Sequence, residues 1–569
     1  MDRRIIWAIV AMMLIAILPS LLLKRPSRAP VSPAGQTQAP PDTGQAAPAN
    51  AAPQIGSRPG VAVEDSLQDL AAEADSVVVS SPLYRYEIST MGGRFSRIIF
   101  PGYRSMAPED RDSPVQLLHP ETDLLGLSVL VGRDTLHLDR WILTSSSPAV
   151  SVAGGPVPLT LTGTRGNVSV RLTYQFVPDN YLFQVEGEIT GLGPNGGVLL
   201  VGMGPGIRNT EADSIDNQRQ LAVVTMANGA EATNFHKLTA GQTTALDGPF
   251  QWVAVKSKYF VTALFTLDST HPRISGVTAT PAPTAGKNPN RADIKTSLSL
   301  GADGRFAYQV YAGPMEYDRL RAIGHDFDDV NPYGWPGFRT IIRPVAVAAR
   351  WLLVWMHENL HLAYGLVLVC FGIMIRVILW PLNQKAMRSS MEMQAIQPQL
   401  KEIQERYKNE PQKLQQEMFK LYKEHGVNPF GGCWPLLIPM PVLFALFFVL
   451  GNTIELRGES FLWLPDLSRA DPLFIVPVLM GLSMFVLSKV GSRGLPPSPQ
   501  TKIMLYVMPI MMTVLFVSFP SGLNLYYAVQ NTASIPQQWL LSKERLRRLP
   551  QSPPTPAKPV PKAKAKPKK

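Results

Sequence analysis

One stretch of the sequence carries the residue types of a hydrolytic metal site: His357-Glu358-Asn359-Leu360-His361. On a helix, histidines four residues apart lie on one face and can hold Zn²⁺, while the intervening glutamate acts as general base. This match lies at the boundary of an apolar run, and no third ligand follows it in sequence. We therefore predict polar residues at the water edge of a helix. A membrane zinc metalloprotease using His357, Glu358 and His361 stays open as an alternative.

Arg376 is the residue best placed to act through its charge. It lies in the apolar run from Leu366 to Trp380, where no acidic residue is within helical reach along the run. A guanidinium that faces lipid costs several kcal/mol, so we expect Arg376 to face a partner or a water-filled cavity. Snorkelling to the nearby end of the run is the structural alternative. An anion channel that uses Arg376 for selectivity is a second functional alternative.

Hydroxyl and amide side chains interrupt the later apolar runs. Such groups can line a hydrated surface without adding charge, and hydrogen bonding between helices explains them equally well. The residues concerned are Ser483, Thr513, Ser518, Asn524, Asn531, Thr532 and Ser534.

Composition excludes several classes of protein. The 569 residues are 45% hydrophobic and 17% charged, and the apolar residues cluster in runs close to the roughly 20 residues that span a bilayer. The two cysteines, Cys370 and Cys433, provide no disulfide framework. No G-x-x-x-x-G-K-[ST] loop is present, so ATP hydrolysis has no evident site. We predict a non-enzymatic membrane protein with no catalytic residue, metal or cofactor.

The N-terminal region predicts an anchor and a tether. Residues 1–25 contain Arg3 and Arg4 followed by about nineteen apolar residues without a small-x-small cleavage site. This pattern favours a retained membrane anchor over a cleaved signal peptide. Residues 26–60 are rich in Pro, Ala, Gln, Ser and Gly, a composition typical of a flexible linker.

Residues 61–330 predict an all-β domain. Val168–Phe176 alternates strictly between apolar and polar residues, Pro178-Asp179-Asn180 turns the chain, and the alternation resumes at Tyr181. This pattern is typical of a β-hairpin with one buried face. Further short strands are predicted near 84–88, 95–100, 252–265 and 306–311. Together they predict a large antiparallel sandwich.

The remainder of the chain is helical and apolar. Residues 331–362 contain an amphipathic helix suited to a membrane interface, with Arg343 and Arg350 among apolar residues. Residues 363–541 then form the predicted core. With the N-terminal anchor, the core makes a membrane α-helical bundle of six spans, five of them at 363–382, 435–453, 472–488, 503–519 and 523–541.

Charged residues predict the orientation of these spans. Lys and Arg lie beside the predicted spans in four places: Arg3 and Arg4 at the N-terminus, the loop 385–425, the segment from Lys489 to Lys502, and the tail. All four places fall on one side if the six spans alternate, whereas the net acidic loop 454–471 and the β domain fall on the other. The positive-inside rule then places both termini in the cytoplasm and the β domain in the periplasm of a bacterial inner membrane.

Two cytoplasmic elements could bind partners. Residues 384–426 predict a charged helical hairpin, because apolar residues repeat at helical spacing on both sides of Asn409-Glu410-Pro411. The hairpin is either purely structural or a docking arm. In the tail 542–569, ten Lys and Arg follow Ser542 against the one acid Glu544. That tail suits ribosomal RNA phosphates or anionic lipid headgroups, and the sequence does not separate the two.

Three motifs resemble the YidC family of membrane protein insertases. The order of anchor, linker, β domain, five spans and basic tail resembles the family as well. The sequence departs from the family pattern at one position, since Pro439 stands where family members often carry glutamine. The family pattern therefore does not fix how polar the chain is on that side of the helical core. The motifs are Asn428-Pro429-Phe430-Gly431-Gly432-Cys433-Trp434-Pro435-Leu436-Leu437-Ile438, Phe519-Pro520-Ser521-Gly522-Leu523-Asn524-Leu525-Tyr526-Tyr527, and Arg376-Val377-Ile378-Leu379-Trp380-Pro381-Leu382.

The resemblance implies an insertase and membrane chaperone. Its five-span core would enclose a hydrophilic groove, open to the cytoplasm and to lipid, and its β domain would be a supersandwich. Implied partners are nascent membrane proteins, the Sec translocon, membrane lipids, and the ribosome through the hairpin and tail. The client-binding residues would be Arg376, Tyr526 and Tyr527, with Asn524, Thr513 and Ser483 as further lining.

Overall fold

The computed structural model describes residues 74–194, 196–267, 274–282, 289–335, 337–426, 440–494 and 499–548. The predicted anchor, the linker, most of the basic tail and the motif from Asn428 to Ile438 lie outside these ranges. The β domain and the helical region fall in one compact unit.

Alternation of apolar and polar residues produces the strands of the β domain. In β10, for example, Val170, Leu172 and Tyr174 are buried while Arg171 and Gln175 are exposed. The strands are β1 Ser76–Ser80, β2 Arg85–Ser89, β3 Phe95–Arg104, β4 Pro114–Gln116, β5 Leu127–Val131, β6 Asp134–His137, β7 Thr144–Ser145, β8 Ala149–Ser151, β9 Val157–Arg165, β10 Val168–Phe176, β11 Leu182–Thr190, β12 Gly197–Gly202, β13 Ala222–Met226, β14 Ala230–Asn234, β15 Thr244–Phe250, β16 Trp252–Lys256, β17 Phe260–Thr266, β18 Ile274–Pro281, β19 Ala292–Leu300 and β20 Arg305–Pro314.

Three sheets share one hydrophobic core. Their strand orders are β4-β3-β2-β1-β8, β14-β13-β16-β17-β20-β11-β10-β9-β7 and β15-β18-β19-β12-β5-β6. The first two sheets meet through aromatic rings, such as Phe95 stacked on Phe183 with centroids 5.4 Å apart. Phe327 and Val330 belong to the same core, so the domain continues past the last strand.

The predicted hairpin is confirmed, since β10 and β11 pair antiparallel around the Pro178-Asp179-Asn180 turn. One detail of the sandwich prediction is wrong: β1 and β8 pair in parallel. The strand before β8 lies in a different sheet, so the chain reaches β8 by a crossover and not by a hairpin turn.

The helical region follows the β domain. Its helices α3, α4, α8, α9 and α12 pack on one another. Counting the two short helices within and after the strands, the helices are α1 Ser214–Gln220, α2 Tyr317–Ile323, α3 Arg339–Leu360, α4 Tyr364–Ile378, α5 Trp380–Ala395, α6 Gln397–Arg406, α7 Pro411–Glu424, α8 Met440–Asn452, α9 Ile475–Gly491, α10 Pro499–Lys502, α11 Met508–Phe516, preceded by a π turn at Ile503–Val507, and α12 Ser521–Arg548.

Among the helices in the described ranges, none combines the length and the apolar character needed to cross a membrane. The six spans therefore stay predictions. Within the described part of the predicted hairpin, Ile396, just before α6, and Leu421 of α7 are buried in one cluster, with Leu400, Ile403 and Tyr422 packed around them.

The amphipathic helix α3 corrects one expectation. Its apolar residues Trp351 and Trp355 are exposed, as an interfacial helix requires, but Arg350 is buried. Its guanidinium pairs with Glu455 and with Asp318, and it lies over the ring of Tyr317 at 5.1 Å. Arg350 therefore joins α3 to the β domain and to the loop after α8.

A buried amine in the β domain predicts a pH-dependent stability. Lys256 ends β16, and its Nζ donates to the Asn331 Oδ1 at 3.1 Å. Burial lowers the pKa of Lys256 to about 8. Because the unfolded chain binds this proton up to a pH of about 10.4, folding releases it between these values and stability rises with pH there.

Relative to a Lys256→Met variant, the parent should gain up to about 3 kcal/mol of unfolding free energy between pH 7.5 and 10. Thermal unfolding of the whole purified chain, followed by tryptophan fluorescence, measures this difference. Parallel pH profiles for the two proteins would contradict the prediction.

Candidate functional site

Arg376 lies in the interior of the helical region. The residue is 8% exposed, and its Nη2 donates to the Oε1 of Gln537 at 2.5 Å. Gln537, on α12, is 1% exposed and donates in turn from its Nε2 to the carbonyl of Trp380 at 3.1 Å. Arg376 thus has the partner that its apolar surroundings require, but that partner is a neutral amide.

The hydrogen bond to Gln537 leaves the positive charge of Arg376 without a counter-charge from that partner. Its Nε is also buried without a hydrogen-bond acceptor among the described residues. A charged group held this way has unused capacity for an acceptor or an anion. The site is therefore suited to attract acidic or polar groups.

Close packing of α4 on α12 positions Arg376. Gly372, one turn before it, lies close against α12, because a Cβ there would be 3.3 Å from the Val529 Cγ1 and 3.4 Å from the Tyr526 ring. Tyr526 is buried between the two helices with its ring centroid 5.9 Å from Phe371. Its hydroxyl has no partner among the described residues.

Tyr527 points to a different neighbour. It is half-buried, with its ring edge-on to that of Phe516 at 5.6 Å. The two tyrosine rings are themselves 5.4 Å apart and nearly perpendicular. The structure thus brings Tyr526 to the α4–α12 interface with Arg376, and turns Tyr527 toward α11.

The smaller polar residues make contacts between and within helices. Ser483 accepts from Asn531 Nδ2 at 3.2 Å, which joins α9 to α12. Thr513 donates to the Pro509 carbonyl at 2.8 Å within α11. Asn524 is fully buried and donates to the Phe516 carbonyl at 3.0 Å, so its amide caps the end of α11. These three residues do not gather around Arg376.

Sequence reasoning missed Gln537 and Gln530. Both are buried on α12, and their spacing of seven residues places them on one helix face with Tyr526. An amide repeated at that spacing in a predicted apolar span was the available signal. Its pairing with Arg376 bridges a sequence separation of 161 residues, which no local pattern encodes.

The His357-Glu358-x-x-His361 match does not form the geometry of a zinc site. Helix α3 ends at Leu360, and His361 lies beyond it in a left-handed conformation with φ of 51°. The Nδ1 of His357 is 2.8 Å from the Leu362 carbonyl, and its ring stacks on Tyr364. In the part of the chain that is described, no cluster of three or more His, Cys, Asp or Glu could hold a metal ion.

Comparison with known proteins gives two family matches that cover most of the chain. Residues 76–347 match the YidC periplasmic domain, and residues 355–548 match the 60Kd inner membrane protein family. The membrane protein insertase YidC of Anaeromyxobacter sp. strain Fw109-5 is 32% identical over 459 residues, covering 79% of this chain and 78% of the relative. The chain belongs to the YidC family of membrane protein insertases.

The chain is similar to further YidC proteins. The insertase of Chlorobium phaeovibrioides is 30% identical over 501 residues, covering 83% of each protein. That of Chlorobaculum tepidum is 33% identical over 395 residues, covering 65% of each. A crystal structure of an active YidC insertase is 20% identical, with a TM-score of 0.32, covering 84% of this chain and 98% of that one. YidC insertases are not enzymes, which agrees with the expectation from the sequence.

Proposed function

We propose that this chain takes hydrophobic segments of client proteins from the cytoplasm into the bacterial inner membrane, and that the interface around Arg376 receives the client's polar segment. A single observation supports this role most directly. The buried guanidinium of Arg376 is held by the neutral Gln537 in the middle of a helical region whose relatives are named insertases.

The distribution of side chains supports placement in lipid. Polar groups such as Arg376, Gln537 and Ser534 are buried, whereas apolar side chains cover the outside of the same helices. Water would disfavour this arrangement, and a hydrocarbon environment favours it. Exposed apolar residues include Ile373 and Val377 on α4, Val478, Leu479 and Leu482 on α9, and Ile510 and Val514 on α11.

The proposed mechanism uses the charge as an attractor. A client must move a polar, often acidic, segment across the bilayer while its apolar segment remains in lipid. Arg376 would lower the free energy of that polar segment at the half-depth of the membrane, which shortens the dry distance to be crossed. Tyr526, next to Arg376, would contact the client on the α12 side. Because the sequence has no evident nucleotide site, insertion would be driven by burial of the client's apolar residues, by a partner or by the membrane potential.

The remaining assignments complete the proposal. Both termini lie in the cytoplasm and the β domain in the periplasm, as the charges beside the spans predict. The chain works alone or with the Sec translocon, and acts as a chaperone for clients during their folding. The hairpin 384–426 and the basic tail 542–569 bind the ribosome.

Deleting residues from about 550 onward should weaken ribosome binding and reduce the salt dependence of that binding. Unchanged binding across a salt titration would refute the role of the tail.

The decisive experiment is cell-free insertion of a small single-span client into liposomes that contain only this protein. Protease protection of the client measures insertion, and liposomes without protein give the background. Parent and His357→Ala should insert the client equally well. Client cleavage that depends on His357 would instead support the zinc metalloprotease alternative. Ion conductance that depends on Arg376, without insertion, would support the anion channel alternative.

Gln537→Glu tests whether the unneutralised charge of Arg376 matters. The substitution keeps the shape of the side chain and places a carboxylate on the guanidinium, so the protein should stay folded while losing most insertion of acidic clients. The same assay measures the loss, and thermal unfolding checks the fold. Gln538→Glu is the matched control, because the Gln538 side chain lies against Gly491 of α9. Full activity of Gln537→Glu would show that the charge of Arg376 is not used.

A further inference from the structure

A cavity of about 420 Å³ lies between the β domain and the loop 454–471. The β domain contributes Arg104 and Arg111 to its wall, and the loop contributes Arg457 and Arg469. None of these residues belongs to the Arg376 site. The cavity is therefore a separate feature of the protein, on the side predicted to be periplasmic.

The guanidinium groups of this cavity differ in their partners. Arg457 is neutralised, because its Nε donates to both carboxylate oxygens of Glu211 at 2.9 and 3.0 Å. Arg104 donates from its Nη1 to the backbone carbonyl of Asp112 at 2.7 Å. Arg111 and Arg469 form no ion pair or side-chain hydrogen bond with the residues that the structure describes.

The carboxylates of the cavity are mostly engaged elsewhere. Glu455 pairs with Arg350, and Asp466 accepts from the backbone N and the Oγ of Ser468 at 2.8 and 2.7 Å. Asp112, at the exposed rim, is the remaining carboxylate in the wall. With Arg457 and Glu455 paired, the guanidinium groups of Arg104, Arg111 and Arg469 outnumber the carboxylates of Asp112 and Asp466 by one. The wall therefore carries a net positive charge, which suits a phosphate group.

An apolar tip stands beside the cavity on the same loop. Phe461 and Leu464 form a two-residue hairpin with backbone hydrogen bonds of 2.9 Å in both directions. At its tip, Leu462 is 76% and Trp463 is 38% exposed, and Pro465 follows directly in the cavity wall. Leu and Trp exposed on an ordered tip are unfavourable in water, and tryptophan is enriched at the headgroup level of membranes.

We infer that the cavity binds the phosphate of an anionic phospholipid while Leu462 and Trp463 enter the same leaflet. The arginines supply charge-assisted hydrogen bonds to phosphate oxygens, and the tip supplies the contact with acyl chains that a free anion lacks. The site goes beyond client insertion, since it attaches the junction of the β domain and the helical region to the periplasmic membrane surface.

Lipid titration of the purified full chain in detergent tests this site. The unfolding midpoint, followed by fluorescence, should rise with phosphatidylglycerol and stay unchanged with phosphatidylcholine. In an Arg111→Gln/Arg469→Gln variant the apparent affinity for phosphatidylglycerol should fall at least about tenfold. Arg171→Gln, at an exposed arginine of β10, is the matched control and should respond as the parent does. The basic tail is identical in all three proteins, so its own lipid binding cancels.

A second arm separates lipid from free anion. Glycerol phosphate should produce little shift, and Leu462→Ser/Trp463→Ser should weaken the response to phosphatidylglycerol although all the arginines remain. A double arginine variant that responds like the parent would overturn the site. An equal response to glycerol phosphate that is insensitive to the tip would overturn the lipid assignment.

Discussion

Replacing Arg376 with alanine is expected to slow the insertion of a client with an acidic exported segment at least about tenfold. The guanidinium is buried, and the side chain that holds it is a neutral amide, so its charge is available to an incoming carboxylate. An attraction of about 1.4 kcal/mol in a partly hydrated site corresponds to that factor. Protease protection of the client, as a function of time, measures the rate.

A matched client separates this effect from damage to the fold. With the acidic residues of the exported segment changed to amides, parent and variant should differ much less. Arg376→Lys should lie between them, because it keeps a point charge and loses the planar donor fork. If Arg376→Ala slows the insertion of acidic and neutral clients equally, and its unfolding midpoint falls as well, Arg376 is a structural residue.

The second large effect is expected at Arg457, in the loop after α8. Arg457 and Glu211 are 5% and 8% exposed in their side chains, and Arg457 also donates to the carbonyls of Arg104 and Thr210 at 2.8 and 2.9 Å. Arg457→Ala leaves a buried carboxylate without its counter-charge. That loss costs about 3–5 kcal/mol and should lower the unfolding midpoint of the β domain by roughly 6–20 °C.

Two variants test this explanation. Arg305→Ala removes an exposed ion pair with Glu188 at 3.3 Å and should cost no more than about 1 kcal/mol. A Glu211→Leu/Arg457→Met double variant, which removes both charges and keeps the volume, should recover much of the stability. If Arg457→Ala is as mild as Arg305→Ala, the loop is not held to the β domain by this pair.

Local patterns were sufficient to predict some elements of the fold, although the segment 252–265, predicted as one strand, forms the two paired strands β16 and β17. The period of two in Val168–Phe176 and the turn at Pro178-Asp179-Asn180 predicted β10 and β11. The apolar residues at helical spacing, among them Ile396 and Leu421, predicted the helical hairpin. Both are interactions over short sequence distances. The order of strands in three sheets depends instead on pairings between distant segments, such as β11 with β20, which no local period encodes.

The candidate site was predictable only in part for the same reason. The apolar surroundings of Arg376 required a partner, but the identity of Gln537 depends on the register between α4 and α12. Arg350 was predicted only as part of an amphipathic interfacial helix, and its burial follows from the acids that α2 and the loop after α8 bring to it. Asn524 read as a lining residue, whereas its position in the structure is set by the end of α11.

The pairing of Arg376 with an amide also fixes how the site responds to acidity. Neither a guanidinium nor a carboxamide changes its protonation state between about pH 5 and 9, so the pair has no titratable switch. A carboxylate or histidine in place of Gln537 would couple the charge to the protons on either side of the membrane. With glutamine there, the charge of Arg376 is independent of pH in this range, and it stays the same when the proton gradient rises or collapses.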